Sequence, residues 1–583
     1  MRYTQAAALA LALALACGAV TPPAAAQDAT PSTLQRQVAA VQAPGLIHSA
    51  VGVTRQGTPI PCLIHRDDLD LNTKKARILL VGGLDRSTDT VQAALTATRW
   101  FHSSPDAAAL RGRFTLSAVP CLNPDGYGKA NVSGNGAGGT PGLGFPPQGA
   151  SYNSPTDPEN QYVWRWIGMH APDHVIVIMP AGAKYNPTQP STLWVELSNQ
   201  APANVGRVPA AAIQAKAGES ADAFLKRALA ATEGHGPSPA RLELQRRLAR
   251  SPLQIAQQLA KRYGHDLNDV SYIPALALIG RARLGELTRD GSQLTDVLRI
   301  VEPYVAGKKE TFRGTPSGSG MAGHLVFGFL AEHDRPHRDA HLALLKAACG
   351  LALHDTGKPR DCVANHSQMS DSVFMACAPL ARAGALTGDS AYADACLNHL
   401  RFMRKLCARD DGLYRHSPLD EAAWGRGNGF PALGLALALS DLPADYPGRN
   451  DLLDNVRGHL AALLKHQDYT GCWRQVIDRP ESYREFTATC MITFAMIRGA
   501  RRDWLPPPPE REDYEAAIQS AWHAIRTRIA PDAALVDVCT GTGKQKTLRD
   551  YLDRTAILGP DPRGGAMALL VVTEFAQWQA EQN

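Results

Sequence analysis

The spacing of apolar residues changes once along the chain. From Leu46 to Met179 it comes in short runs: Leu46 to Arg66 reads as two strands around Gln56-Gly57, and Ala76 to Val81, Phe114 to Val119 and His174 to Met179 are apolar segments of strand length. Ser87 to His102 and Pro158 to Met169 lie between them with helical spacing, so the order predicts an α/β unit with a largely parallel sheet. Further on, helical spacing dominates. Leu452, Leu453, Val456, Leu460, Leu463 and Leu464 recur on one helical face, as do Ile518, Trp522, Ile525 and Ile529. The stretch from Asn199 to Pro239, rich in Ala, Gly and Pro, reads as the connection. The chain is therefore expected to hold an α/β domain over 27–200, a linker over 201–240 and an all-α domain over 241–583.

Within the helical part the junctions repeat. Leu287 to Asp290, Glu332 to Pro336, Leu386 to Asp389, Ser440 to Pro443 and the longer Arg501 to Pro509 each end one helix and begin another, about fifty residues apart. Six such hairpins fill Arg241 to Asn583, and a closed (α/α)6 toroid leaves no exposed end. The unusual stretches Ser317 to Gly323, His366 to Asp371, Trp424 to Phe430, Tyr483 to Glu485 and Gly559 to Gly565 each precede the first helix of a hairpin, so they are expected to share one rim. Helix N-termini gathered there favour an anion.

Charge and composition narrow the function. A net charge of +5 on 583 residues, with no run of Lys or Arg, argues against nucleic acid as a partner. Arg2, the apolar run Ala6 to Ala16 and Ala24-Ala25-Ala26 read as a signal peptide over 1–26, hence a periplasmic or secreted protein, with lipoprotein processing at Cys17 left open. No later stretch reaches the ~18 apolar residues of a bilayer span. The remaining cysteines form no Cys-x-x-Cys pair or zinc-spaced cluster and are expected to be mostly buried thiols, although an oxidising compartment permits disulfides. Asn131-Val132-Ser133 matches a glycosylation acceptor. No cofactor is implied: Gly541 to Lys544 lacks the upstream Gly of a phosphate loop, and Gln545 stands where Ser or Thr belongs.

The stretch from Asp411 to Phe430 is the densest in candidate chemistry. Gly425, Gly427 and Gly429 alternate with Trp424, Arg426, Asn428 and Phe430, which reads as a sharply turning active-site loop. Such a set suits a sugar acid: an Arg fork for carboxylate, an amide for hydroxyls, an indole for the ring face. The alternative is a glycine-rich connection whose Trp belongs to the core.

Two resemblances follow. Gly82 to Thr88 with Asn123 to Tyr127 is similar to the zinc carboxypeptidases over roughly residues 45 to 200, but Asp85 and Thr88 stand where that family carries His-x-x-Glu, and no His lies near Met179. That resemblance implies a degenerate domain without a metal. In the helical part, Asp371 to Met375, Gly412 to His416 and Trp424 to Gly429 resemble the unsaturated rhamnogalacturonyl and glucuronyl hydrolases, glycoside hydrolase families 105 and 88. The likeness continues through Gln467 to Gln475, Tyr483 to Glu485, Cys539 to Gly543 and Asp561.

The second resemblance implies the (α/α)6 fold and a substrate ending in a 4,5-unsaturated uronic acid. The double bond is hydrated: an aspartic acid protonates C4, water adds at C5, and the hemiketal opens to release the next sugar. It places Asp371 and His416 in catalysis, and Trp424, Arg426, Asn428, Phe430, Trp473, Tyr483 and Glu485 at the substrate. Each keeps a plainer alternative: Asp371 as a helix N-cap, His416 as structure, the Trp residues as packing, Tyr483 and Glu485 as buried polars. Phe430 replaces the family's Trp. A second aspartate, expected about fifty-five residues before Asp371, is missing from Ser317 to Ala322. That leaves an altered geometry, another acid, or a non-catalytic glycan-binding protein with two degenerate domains.

Overall fold

The apolar runs of the first half pair into one sheet. The computed structural model describes residues 30–129, 132–148, 151–312, 314–364 and 367–582; the signal-peptide reading over 1–26, Cys17, Asn131 and His366 lie outside them. After helix α1 (Pro31–Ala39) come β1 (Leu46–Val53), β2 (Pro59–His65), β3 (Ala76–Val81), α2 (Thr88–Ser103), α3 (Ala108–Arg113), β4 (Phe114–Val119), α4 (Pro158–His170), β5 (His174–Met179), α5 (Leu193–Asn199), β6 (Ala210–Gln214) and α6 (Ala221–Ala230). The strand order is β1-β2-β4-β3-β5-β6. From β4 to β6 neighbours run parallel, while β2 is antiparallel to both β1 and β4.

The expected linker over 201–240 is corrected by this sheet. Ala210 to Gln214 pairs with Val175 to Met179 as its last strand, and α6 buries Phe224, Leu225, Ala228 and Leu229 in the layer that α2 covers. Alanine has weak strand propensity, so the strand is set by pairing with β5 and not by its own sequence. α7 (Pro239–Leu248) continues at once, held where Arg241 Nη1 meets Asp173 at 2.5 Å.

Beyond α8 (Pro252–Ala260) the helices close a ring. The inner members are α9 (Tyr272–Thr288), the broken pair α11 (Gly318–Gly323) and α12 (Leu325–Leu330), α14 (Ser372–Thr387), α16 (Gly425–Asp441), α18 (Phe486–Arg501) and α21 (Pro562–Gln582). Each packs on the next, and α21 packs back on α9. α10 (Gly291–Val305), α13 (Arg338–Cys349), α15 (Ser390–Cys407), α17 (Arg449–Leu464), α19 (Glu510–Arg528) and α8 line the outside, each against an inner helix. Short pieces sit on the rim: β7 (Trp473–Arg474), β8 (Arg484–Glu485), β9 (Leu535–Cys539), α20 (Leu548–Leu552) and β10 (Ala556–Gly559).

The sheet unit is seated on these rim pieces. One core contains Val51, Tyr152, Tyr162 and Val163 together with Trp424, Val476, Tyr483, Tyr551 and Ala556. Polar contacts cross the same seam: Arg165 to Asp537 at 2.8 Å, Arg55 to Asp553 at 2.8 Å, and Arg549 to the Thr54 carbonyl at 2.8 Å. Cys62, Cys121, Cys349, Cys377, Cys396, Cys407, Cys472, Cys490 and Cys539 are buried free thiols, and Cys362 is a partly exposed one. Among the described residues no helix is long and apolar enough to cross a membrane.

Candidate active site

The glycine-rich stretch is helix, not loop. Gly425, Gly427 and Gly429 occupy the first turns of α16, where each costs about 1 kcal/mol against alanine. They are needed for close approach. A Cβ on Gly429 would lie 2.8 Å from Met491 Cε, one on Gly434 2.6 Å from the Phe374 backbone nitrogen, and one on Gly425 would strike the Arg474 carbonyl. α16 thereby nests against α14 and α18, and brings Trp424 beside the start of α14.

Asp371 stands at that start, and its side chain makes no cap hydrogen bond. Its backbone carbonyl takes the N–H groups of Phe374 and Met375 instead, each at 3.1 Å. The buried carboxylate faces His416, with Oδ2 3.0 Å from Nε2, although the pair is not aligned as a hydrogen bond. On its other side His416 Nδ1 lies 2.9 Å from the hydroxyl of Tyr551, a residue that sequence reasoning missed. Tyr551 Oη accepts the Gln545 N–H at 3.1 Å, and burial raises its phenol above the usual range, so it keeps a proton to give to Nδ1. When the Tyr551 hydroxyl donates to Nδ1, a neutral His416 carries its own proton on Nε2, toward Asp371. Trp424 packs on the His416 ring, centroids 4.4 Å apart, and the guanidinium groups of Arg554 and Arg426 lie 4.4 and 4.8 Å from the Trp424 ring. Trp424 Nε1 and Arg426 Nε are buried without hydrogen-bond partners.

The other expected sugar contacts are placed differently. Arg426 is fully buried, and Nη1 donates to the Cys539 carbonyl at 2.7 Å while Nη2 donates to that of Gly541, so its fork holds backbone. Burial opposes its charge, but Cys539, Tyr272, Glu485 and Asp371 around it outweigh burial and raise its pKa. Asn428 accepts the Tyr414 N–H at 2.8 Å and donates to the carbonyls of Tyr414 and Trp424 at 2.8 and 2.9 Å, so both of its N–H groups hold backbone and the side chain is buried. Phe430 stacks on Phe374 at 5.7 Å in the ring core. Trp473 is fully buried and donates Nε1 to the Leu463 carbonyl at 2.7 Å. Tyr483 stacks on Tyr152 at 4.9 Å in the seam between the two units. Glu485 is the N-cap of α18, accepting the Thr487 and Ala488 N–H groups, and also takes the Cys539 N–H at 2.9 Å. These residues are held by the ring and its rim, whereas Asp371 and His416 face each other at the start of α14.

Where the second aspartate was expected, Ser317 caps α11 through the Gly320 N–H at 3.1 Å. Asp561 caps the last inner helix through the Gly564 N–H at 2.7 Å. The mostly exposed stretch from Thr540 to Thr547 follows β9 and lies beside the starts of α14 and α16. It is tied by Arg426 to Gly541, by Arg554 to Gly543, by Lys544 Nζ to the Ser367 carbonyl at 3.2 Å, and by Gln545 to Tyr551. In the sheet unit Asp85 and Thr88 follow β3 and Met179 ends β5, its parallel neighbour, so the three positions share one sheet edge. Among the described residues no group of three His, Cys, Asp or Glu could hold a metal ion.

Residues 260–579 match the model of Glycosyl Hydrolase Family 88, and the chain belongs to that family. It is similar to an unsaturated rhamnogalacturonyl hydrolase from Bacillus subtilis, 29% identical over 128 residues that cover 22% of this chain and 34% of that protein. It is also similar to an unsaturated 3S-rhamnoglycuronyl hydrolase from Formosa agariphila, 35% identical over 104 residues, 18% of this chain and 26% of the relative. The aligned segments thus span about a quarter to a third of the length of these curated relatives. Among solved structures, a possible member of glycoside hydrolase family 105 from Salmonella enterica matches at 22% identity with a TM-score of 0.48, over 56% of this chain and 93% of that one.

Proposed function

We propose that the protein is an exported hydrolase of oligosaccharides ending in an unsaturated uronic acid, with Asp371 as its acid. The observation that carries this reading is the Asp371–His416 pair: a buried carboxylate at the start of an inner helix that caps nothing and faces an imidazole 3.0 Å away. Family membership and the relatives' names support the substrate class. In this scheme the Asp371 carboxyl gives its proton to C4 of the enol ether, and a water adds its oxygen to C5 and loses a proton to the carboxylate that Asp371 has become. The hemiketal so formed opens, and the bond to the next sugar breaks. His416, holding its proton on Nε2, stabilises the Asp371 carboxylate left behind. The unpartnered Trp424 Nε1 and Arg426 Nε are donors for the sugar acid in the same cluster. Substrate reaches Asp371 when the stretch from Thr540 to Thr547 lifts from the starts of α14 and α16. The sheet unit, similar in its loop residues to a zinc carboxypeptidase, acts as the support on which α20 and Tyr551 rest. Ser317, in place of a second acid, favours one competing reading, a glycan-binding protein without turnover.

The deciding experiment offers lyase-digested pectins, glycosaminoglycans and other uronate polymers while the ultraviolet absorbance of the conjugated uronate is followed. Decay on one of them is the expected result. Binding without decay on every polymer supports the competing reading and rules out the proposed one.

Tyr551 supplies a separate test. Tyr551→Phe removes the hydroxyl that fixes the His416 tautomer but keeps the ring packing, so kcat should fall about threefold to tenfold with KM nearly unchanged. The pH–rate profile should change shape with it, since His416 is then free to place its proton on either nitrogen. An unchanged profile with lower thermal stability would make Tyr551 packing alone.

A further inference from the structure

A second place in the molecule is built for a ligand. The seam between the sheet unit and the ring holds a partly open cavity of about 110 Å³ whose lining includes Tyr483 but neither Asp371 nor His416. One water needs roughly 10–15 Å³ of such space, and a 150 Å³ apolar cavity takes up benzene, so the volume suits one small ring. Its walls carry the aromatic side chains of Tyr162, Trp166, Tyr469 and Tyr483, contributed by both units.

The charges around it do not balance. Arg77 is paired with Asp68 at 3.1 Å, and Arg165 with Asp537 at 2.8 Å. Arg484 shares Asp468, at 2.6 Å, with Arg474, at 2.9 Å. Arg528 has no carboxylate among its contacts: Nη1 reaches only the Ala524 carbonyl at 3.4 Å, and Nε is buried without a partner. Arg484 Nη2 is likewise buried without a partner. Both side chains line the cavity and are more than nine-tenths buried, Arg528 at 3% and Arg484 at 6% exposure. The walls thus carry four arginines, Arg77, Arg165, Arg484 and Arg528, against two aspartates, Asp68 and Asp537, and Asp468 beyond them is shared by Arg484 and Arg474, an excess of two positive charges. The histidines do not change this. Burial lowers His170, and burial together with Arg526 and Arg528 lowers His523 to about 4, so both are neutral near pH 7. An unpaired buried charge is among the costliest features a fold can carry, and a bound anion relieves it.

We infer that the cavity between the two units binds a small carboxylate on a single six-membered ring, its anion held by Arg528 and Arg484 and its ring lying among Tyr162, Trp166 and Tyr469. The site is separate from Asp371 and is assigned by this chain's own charges and volume. Uronic acids and aromatic acids share that chemistry, so both are offered.

The test uses the full-length protein and calorimetric titration with D-glucuronate, D-galacturonate, benzoate and inorganic phosphate, with D-glucuronamide as the uncharged control. Expected is binding of a sugar acid or of benzoate, with the amide weaker by about tenfold or more, and with Arg528→Gln weakening the acid by a similar factor. Arg528→Gln should leave the ultraviolet decay of an unsaturated substrate as in the wild type, which separates this site from the catalytic one, and where no polymer decays the titration still reads the seam cavity alone. Tighter binding of the sugar acids than of benzoate identifies a carbohydrate ligand, and the reverse order an aromatic one. The second variant, Arg528→Met, removes the unpaired charge while keeping the volume. It should raise the unfolding temperature in ligand-free buffer and abolish the rise that the acid produces in the wild type. Equal affinity for acid and amide, affinity for phosphate alone, affinity unchanged by Arg528→Gln, or no binding at millimolar ligand overturns the proposal.

Discussion

Asp371→Asn should lower turnover of an authenticated unsaturated disaccharide by about 10²- to 10⁴-fold while leaving the fold and ligand affinity nearly unchanged. The side chain caps no helix end, so the amide removes no cap from α14. It is also isosteric, so packing around the buried site is kept. What is lost is chemical: an enol ether is inert to water until C4 receives a proton, and an amide has no acidic proton to deliver. A fluorescence or calorimetric titration with the same disaccharide should give a dissociation constant close to the wild type's, which places the loss in kcat. Wild-type turnover in this variant would remove Asp371 from the mechanism, and loss of both folding and turnover would assign it a structural role.

How much of this was legible in the chain depended on whether a residue's partners were near it in sequence. Ala76 to Val81, Phe114 to Val119 and His174 to Met179 coincide with β3, β4 and β5, because a continuous apolar run of strand length has few other uses. The hairpin period gave six inner and six outer helices, because each amphipathic pair must bury a face against the next. The side chains were harder. Asn428, Trp473 and Glu485 are the residue types that bind sugars, but their hydrogen bonds go to groups of the chain itself, in Glu485's case to Thr487, Ala488 and Cys539, the last fifty-four residues away. Residue type cannot tell a carbonyl from a sugar hydroxyl. The alternating glycines were read as turn chemistry, whereas the physical reason for them is contact between α16 and its neighbours. Tyr551 carried no motif: it sits in a five-residue helix, and its tie to His416 spans 135 positions.

At the far end of the ring the largest stability effect is expected from Glu574. This fully buried carboxylate of α21 is met by Arg283 of α9 at 2.6 Å, by Arg498 of α18 at 2.7 Å, and by Arg501, so one group ties the helix that closes the ring to both of its neighbours. Burial alone would raise its pKa, but the three guanidinium groups outweigh burial and hold it far below the ordinary carboxylate range. Glu574→Gln keeps the shape and removes the charge, leaving three arginines around a neutral amide. Breaking a buried ion pair in this way costs about 3–5 kcal/mol, so the unfolding midpoint in denaturant should fall sharply at pH 7. The sign of the pH dependence follows from the direction of the shift. A carboxylate with a depressed folded pKa contributes its full stabilisation above the unfolded value of about 4.3, and that contribution is lost as pH falls toward the folded value. The gap between wild type and variant should therefore be constant from pH 7 to about pH 5 and narrow below pH 4, because there the unfolded wild-type chain takes up a proton that the folded one refuses. Denaturation followed by far-ultraviolet circular dichroism across that range measures both quantities. A gap that stayed constant down to pH 3 would mean that the variant is destabilised by its shape, and that the three arginines do not depend on the charge of Glu574.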